Sequence, residues 1–157
     1  MLQPKCNVLL HIRVLIFIYM HSVFSVPPPS FSLDDISHIL RTEYSMEANV
    51  RELYSDRDQN FHVSNGEDDL ILKVSNLAEE RSVLEMQERA YEYIYERNPL
   101  IQIPRSVGKT CEIRKNSDRY LVRLLSFVPG DFLDQHPSET MDWGGLGQFL
   151  GRLSLSL

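Results

Sequence analysis

The chain has 157 residues, 43% of them hydrophobic and 24% charged, with a formal net charge of −6; this is the composition of one globular domain or of part of a larger protein. Lys5 and Arg13 are the only basic residues before Asp34, the first acidic one, so the body is more acidic than the net figure. That excludes broad nucleic-acid binding, which needs dense Lys and Arg to displace counterions, and an acidic surface beside a pocket suits a cationic substrate. Neither of the two cysteines, Cys6 and Cys111, has a Cys or His at metal-ligand spacing, so a disulfide framework and a zinc site are excluded and a reduced intracellular chain is expected.

Residues 1–26 differ from the rest. Lys5 and Arg13 precede the apolar run Val14-Leu-Ile-Phe-Ile-Tyr-Met20, and short residues follow, with Ser25 in the place of a residue before a cleavage site. This is the form of a signal peptide. The run falls short of the roughly 20 apolar residues of a membrane span. Three readings stand side by side: a signal or anchor that tethers the chain through residues 7–26, a mitochondrial-type leader, and a spurious upstream extension. Pro27-Pro-Pro29 forms a stiff boundary after it.

Ser32-Leu-Asp-Asp35 reads as a capping box, with Ser32 as N-cap and Asp35 three residues on. Leu33, Ile36, Ile39 and Leu40 then repeat at helical spacing, which predicts a helix over 33–43. Three β-like runs follow at 50–54, 60–64 and 70–75, and Asn65-Gly66 marks a hairpin between the second and third. Residues 79–97 read as a long helix with Val83, Met86, Ala90 and Ile94 as its apolar stripe, ended by Asn98-Pro99. Two more strands are expected at 106–113 and 120–126, with Lys115-Asn-Ser-Asp118 as the turn between them. Val128-Pro-Gly130 breaks the pattern. Leu146, Phe149, Leu150 and Leu153 place a last helix in 143–157, with an exposed apolar stripe. The fold class is therefore α+β: a five-stranded antiparallel sheet with one helix inserted after the third strand.

Three stretches could carry chemistry. Ser55-Asp-Arg57-Asp58-Gln59-Asn60 joins the first two strands and, without a glycine, could meet phosphates through polar side chains and amides; it also reads as an ordinary polar hairpin turn. Lys73 lies inside the apolar strand Leu70-Ile-Leu-Lys-Val-Ser75, where a cation cannot stay dry and unpaired; it snorkels from an edge or faces a cleft that takes an anion. Gln87, flanked by Glu85 and Glu88, is the candidate partner on the following helix, and each of these also suits a solvated face. Tyr120 to Gly130 is a strand running into a Pro-Gly break, where Ser126 and Val128 are in phase to offer a carbonyl and an amide to a purine edge; a plain strand and turn is the rival reading.

Taken together, Ser55-x-Arg-Asp-Gln-Asn-Phe-His-Val63, Leu70-Ile-Leu-Lys-Val-Ser-Asn76, Val83-Leu-Glu-Met-Gln87 and Leu121-Val-Arg-Leu-Leu-Ser-Phe-Val-Pro-Gly130 resemble the hydroxylysine kinase-like branch of the aminoglycoside phosphotransferase/choline kinase superfamily. They are also similar to the kinase domain fused to class III aminotransferases. The resemblance covers residues 27–157. It implies a protein-kinase-like N-lobe over 27–127, then an interlobe linker and the first helix of a truncated C-lobe over 128–157. It further implies that Lys73 binds the α/β-phosphates of GTP or ATP, and that Gln87 takes the place of the usual helix glutamate, with Glu85 second. The activity implied is phosphoryl transfer to a hydroxylated amine, 5-hydroxylysine first, in the cytoplasm unless the leader is a targeting signal. The family's catalytic Asp, in a His-Gly-Asp type loop, and its Asn and Asp ligands to Mg²⁺ match no residue here; Asp134-Gln-His-Pro137 lacks the pattern. The expectation is a fragment that binds nucleotide without turnover. The non-enzymatic alternative is a nucleotide-binding or interaction fragment, membrane-tethered through 7–26.

Overall fold

A computed structural model of the protein describes residues 26–130, 135, 137 and 141–156. Residues 1–25 of the proposed leader, and Asp134 and His136 of the Asp134–Pro137 stretch, lie outside these residues. The elements run α1 (Leu33–Tyr44), β1 (Asn49–Leu53), β2 (Gln59–Ser64), β3 (Asp69–Val74), α2 (Arg81–Arg97), β4 (Cys111–Lys115), β5 (Asp118–Ser126) and α3 (Trp143–Ser156). The five strands form one antiparallel sheet in the order β1-β2-β3-β5-β4.

The capping box forms as expected. Asp35 N–H donates to Ser32 Oγ at 3.1 Å and Ser32 N–H donates to Asp35 Oδ2 at 2.8 Å, satisfying two otherwise orphan donors at the start of α1. Ser45, in the left-handed region at φ 51, ends the helix. Ile36, Ile39 and Leu40 of α1 then pack on one face of the sheet. That face is supplied by alternate residues of three neighbouring strands: Phe61 and Val63, Leu70, Leu72 and Val74, and Val122 and Leu124. Phe61, Leu72 and Leu124 stand in one row across β2, β3 and β5. Burial of each such side chain stabilises by about 1.5–3 kcal/mol, so this layer anchors the domain.

Because side chains alternate along a strand, Asn60, His62, Ile71, Lys73 and Arg123 project to the other face. Over that face lies α2. Its buried positions are Leu84 and Ile94, with Gln87, Glu88 and Tyr91 half-buried between them. The expected stripe on Val83, Met86 and Ala90 is corrected in part: Met86 is 62% exposed. The helix is turned by about one residue, because Leu84 is the bulkier group and the polar contacts of Gln87 and Glu88 to the sheet share its side.

The fourth strand also differs. Residues 106–110 run beside the end of β5, with Ser106 making a single bridge to Leu125, and the ladder proper begins at Cys111. Gly108, at φ 77, bends the chain there, and a strand cannot run through it. The hairpin between β2 and β3 is a four-residue loop closed by the Ser64–Asp69 pair. Asn65 Oδ1 accepts from Glu67 and Asp68 N–H at 2.9 and 2.7 Å, and Gly66 takes φ 91, which only glycine adopts freely. In α3, Leu146 and Leu150 are exposed, as the stripe implied, while Phe149 and Leu153 are half-buried.

Candidate anion-binding site

The polar face of the sheet beneath α2 collects charge at one level. Asn60, Lys73 and Arg123 are direct cross-strand neighbours on β2, β3 and β5. Lys73 Nζ lies 3.5 Å from Asp58 Oδ2, and its side chain is 25% exposed. Asp58 sits where the β1–β2 connection enters β2. Its other oxygen accepts the Asn76 N–H at 3.1 Å and faces Arg57 Nε at 3.4 Å. Arg57 in turn pairs with Glu79, whose side chain is buried.

Asn76 holds this corner together. It is 2% exposed. Its Nδ2 donates to the Val26, Pro27 and Arg57 carbonyls at 3.2–3.3 Å, and its Oδ1 accepts the Ala78 N–H at 3.0 Å. It therefore clamps the chain before α1, the β1–β2 connection and the segment leading to α2 around the end of β3.

The helix partner differs from the expectation. Gln87 does lie on the sheet-facing side of α2, but its Oε1 accepts from Arg123 Nη2 at 2.8 Å, not from Lys73. Glu85, the second candidate, is exposed off that side. Glu88 accepts from Thr110 Oγ1 at 2.8 Å. Sequence reasoning passed over Arg123, although it shows the signal that singled out Lys73: a cation inside an apolar strand, Tyr120-Leu-Val-Arg-Leu-Leu. Arg123 is 5% exposed. Its Nε and Nη1, and Asn60 Oδ1, are buried with no hydrogen-bond partner among the described residues.

The remaining expected residues divide. Arg57, Asp58 and Asn60 stand close to Lys73. Ser55 is half-buried beside a cleft of about 410 Å³ that Asp58, Gln59 and Tyr54 also line. Gln59 points the other way, toward α1. It accepts the Phe31 N–H at 2.8 Å and donates to the Phe31 carbonyl at 3.0 Å and to Glu52 at 2.7 Å. One residue of phase along β2 separates it from Asn60, so its amide bridges Phe31 and Glu52 while it borders the same cleft as Ser55. At the far end of β5 the Ser126 N–H donates to the Arg105 carbonyl at 2.8 Å and Ser126 Oγ accepts the Arg105 N–H at 2.9 Å. The Ser126 amide is thus already engaged. Val128 lines a cleft of about 270 Å³ with Tyr95, Ile101 and Arg105.

Compared with family models, curated proteins and solved structures, the chain matches none.

Counted by charge, Arg57 and Glu79 cancel, Asp58 offsets one cation, and the neutral Gln87 offsets none. Glu88, half-buried on the same side of α2, is engaged by Thr110, so Arg123 is the cation of this face that no carboxylate among the described residues meets directly. A buried guanidinium such as Arg123 forms short, charge-assisted hydrogen bonds with a charged oxygen. The same residues do not fit Mg²⁺. Asp58 and Glu79 are engaged by cations, and among the described residues no group of three or more His, Cys, Asp or Glu could hold a metal. Among those residues, too, no helix is long and apolar enough to cross a membrane.

Proposed function

We propose that residues 27–157 form the nucleotide-binding end of a small-molecule kinase: a protein-kinase-like N-lobe followed by the first helix of a second lobe. In this reading Lys73 receives the phosphates of GTP or ATP, and the acceptor in the whole enzyme is a hydroxylated amine, 5-hydroxylysine first. The observation that carries it is Lys73 itself: a partly open cation on the third strand, under the inserted helix, with Asp58 at 3.5 Å as its ion-pair partner among the described residues. Phosphoryl transfer asks the protein mainly for positioning and charge compensation, and this part of the chain would supply the first half of both. No residue here is assigned as catalytic base.

The test is a thermal shift of the full chain with GTP or ATP. Stabilisation that disappears in Lys73→Ala supports the reading; no shift with either nucleotide, with or without Mg²⁺, rejects it. Hydroxylysine-dependent consumption of GTP tests the acceptor.

A further inference from the structure

The geometry points to Arg123 as a second anion-binding residue of the Lys73 site, a ligand to the same polyphosphate, with Gln87 as its positioning residue. The inference rests on the proposed phosphate role of Lys73. Arg123 is 95% removed from solvent, a place where a guanidinium is costly unless its donors are used and its charge is met. One donor is used, on Gln87. Nε and Nη1 are not used by any described residue.

The identity of residue 87 matters here. A glutamate would form an ion pair with Arg123 and cancel its charge. A glutamine fixes the guanidinium through one 2.8 Å hydrogen bond and leaves that charge for something else. The direct neighbour across the ladder is Lys73, and like charges set opposite each other in a sheet destabilise it. A polyanion bridging the two relieves both problems: it occupies the free Nε and Nη1 and screens the Lys73–Arg123 repulsion. Lys73 is the more open of the two cations, with 25% of its side chain exposed against 5% for Arg123. A guanidinium also presents its donors in a fixed fork that suits phosphate oxygens. The ligand class is a polyanion such as a di- or triphosphate, which carries enough charge and oxygens to meet two cations on adjacent strands at once.

The experiment is calorimetric titration of the full chain with inorganic tripolyphosphate and, separately, with GTP. Wild type, Lys73→Met, Arg123→Met and Gln87→Glu are compared, with melting temperatures for each. Gln87→Glu keeps the shape and the acceptor of residue 87, so it tests the proposal even if Arg123→Met fails to fold. Expected is a loss of tripolyphosphate affinity of about tenfold or more in Gln87→Glu, with a melting temperature at or above wild type. Unchanged tripolyphosphate affinity in Gln87→Glu, with binding abolished by Lys73→Met, overturns the role of Arg123 and leaves the Lys73 reading standing. If wild type binds neither probe, both readings fall.

Discussion

Lys73 on β3 and Arg123 on β5 face each other across the ladder, and their partners differ in kind: a carboxylate for Lys73, a neutral amide for Arg123. Lys73 is therefore compensated by a carboxylate, whereas Arg123 is positioned by Gln87 without being neutralised. The two cations should answer differently to substitution around them.

Asp58 competes with any anion for Lys73. Asp58→Asn keeps an oxygen for the Asn76 N–H and removes the charge. Tripolyphosphate should bind roughly twofold to fivefold tighter, the size of a partly exposed ion pair, while the melting temperature falls. Calorimetry and a thermal melt on the same sample check both. Weaker binding would mean that Asp58 does not compete for Lys73.

Gln59 bridges Phe31 and Glu52 and should act on stability rather than on binding. Gln59→Leu strands the Phe31 N–H and carbonyl in a buried setting, each costing about 1–3 kcal/mol if left unsatisfied. Urea unfolding should show a loss of about 2–6 kcal/mol for the two groups together, with GTP-dependent stabilisation of the folded fraction unchanged. A specific loss of GTP binding in a protein of normal stability would place Gln59 at the ligand after all.

Acid should loosen the start of α1. The hydrogen bond from Lys115 at 2.8 Å, followed by the bonds from Ser32, lowers the Asp35 carboxyl from 3.8 to about 2. A depressed folded-state value stabilises the native chain above the unfolded one, so this contribution is complete above about pH 4 and is lost as pH falls toward 2. The Asp35 side chain is 41% exposed, and screening limits the effect to about 1 kcal/mol or less. Stability curves of wild type and Asp35→Asn should converge between pH 4 and 2. Parallel curves would show that the Lys115 contact does not persist in solution.

Local chemistry is legible in the sequence. Ser32 and Asp35 announce the start of α1, Asn65-Gly66 the β2–β3 loop, and the apolar alternation of Leu70, Leu72 and Val74 the strand that carries Lys73. Each depends on neighbours a few residues away, through caps, φ preferences and the two-residue period of a strand. The partner of Gln87 does not. Its amide reaches Arg123, 36 residues on, because of how α2 rotates to seat Leu84, and no local pattern encodes that rotation. The start of β4 at Cys111, past the Gly108 bend, and the turning of Gln59 away from Lys73 toward Phe31 are decided in the same way. The sequence by itself determined which segments are helix and strand and that one of them holds an internal lysine. Only tertiary packing decided that a second cation stands beside it, since cross-strand register and helix rotation are set by long-range burial.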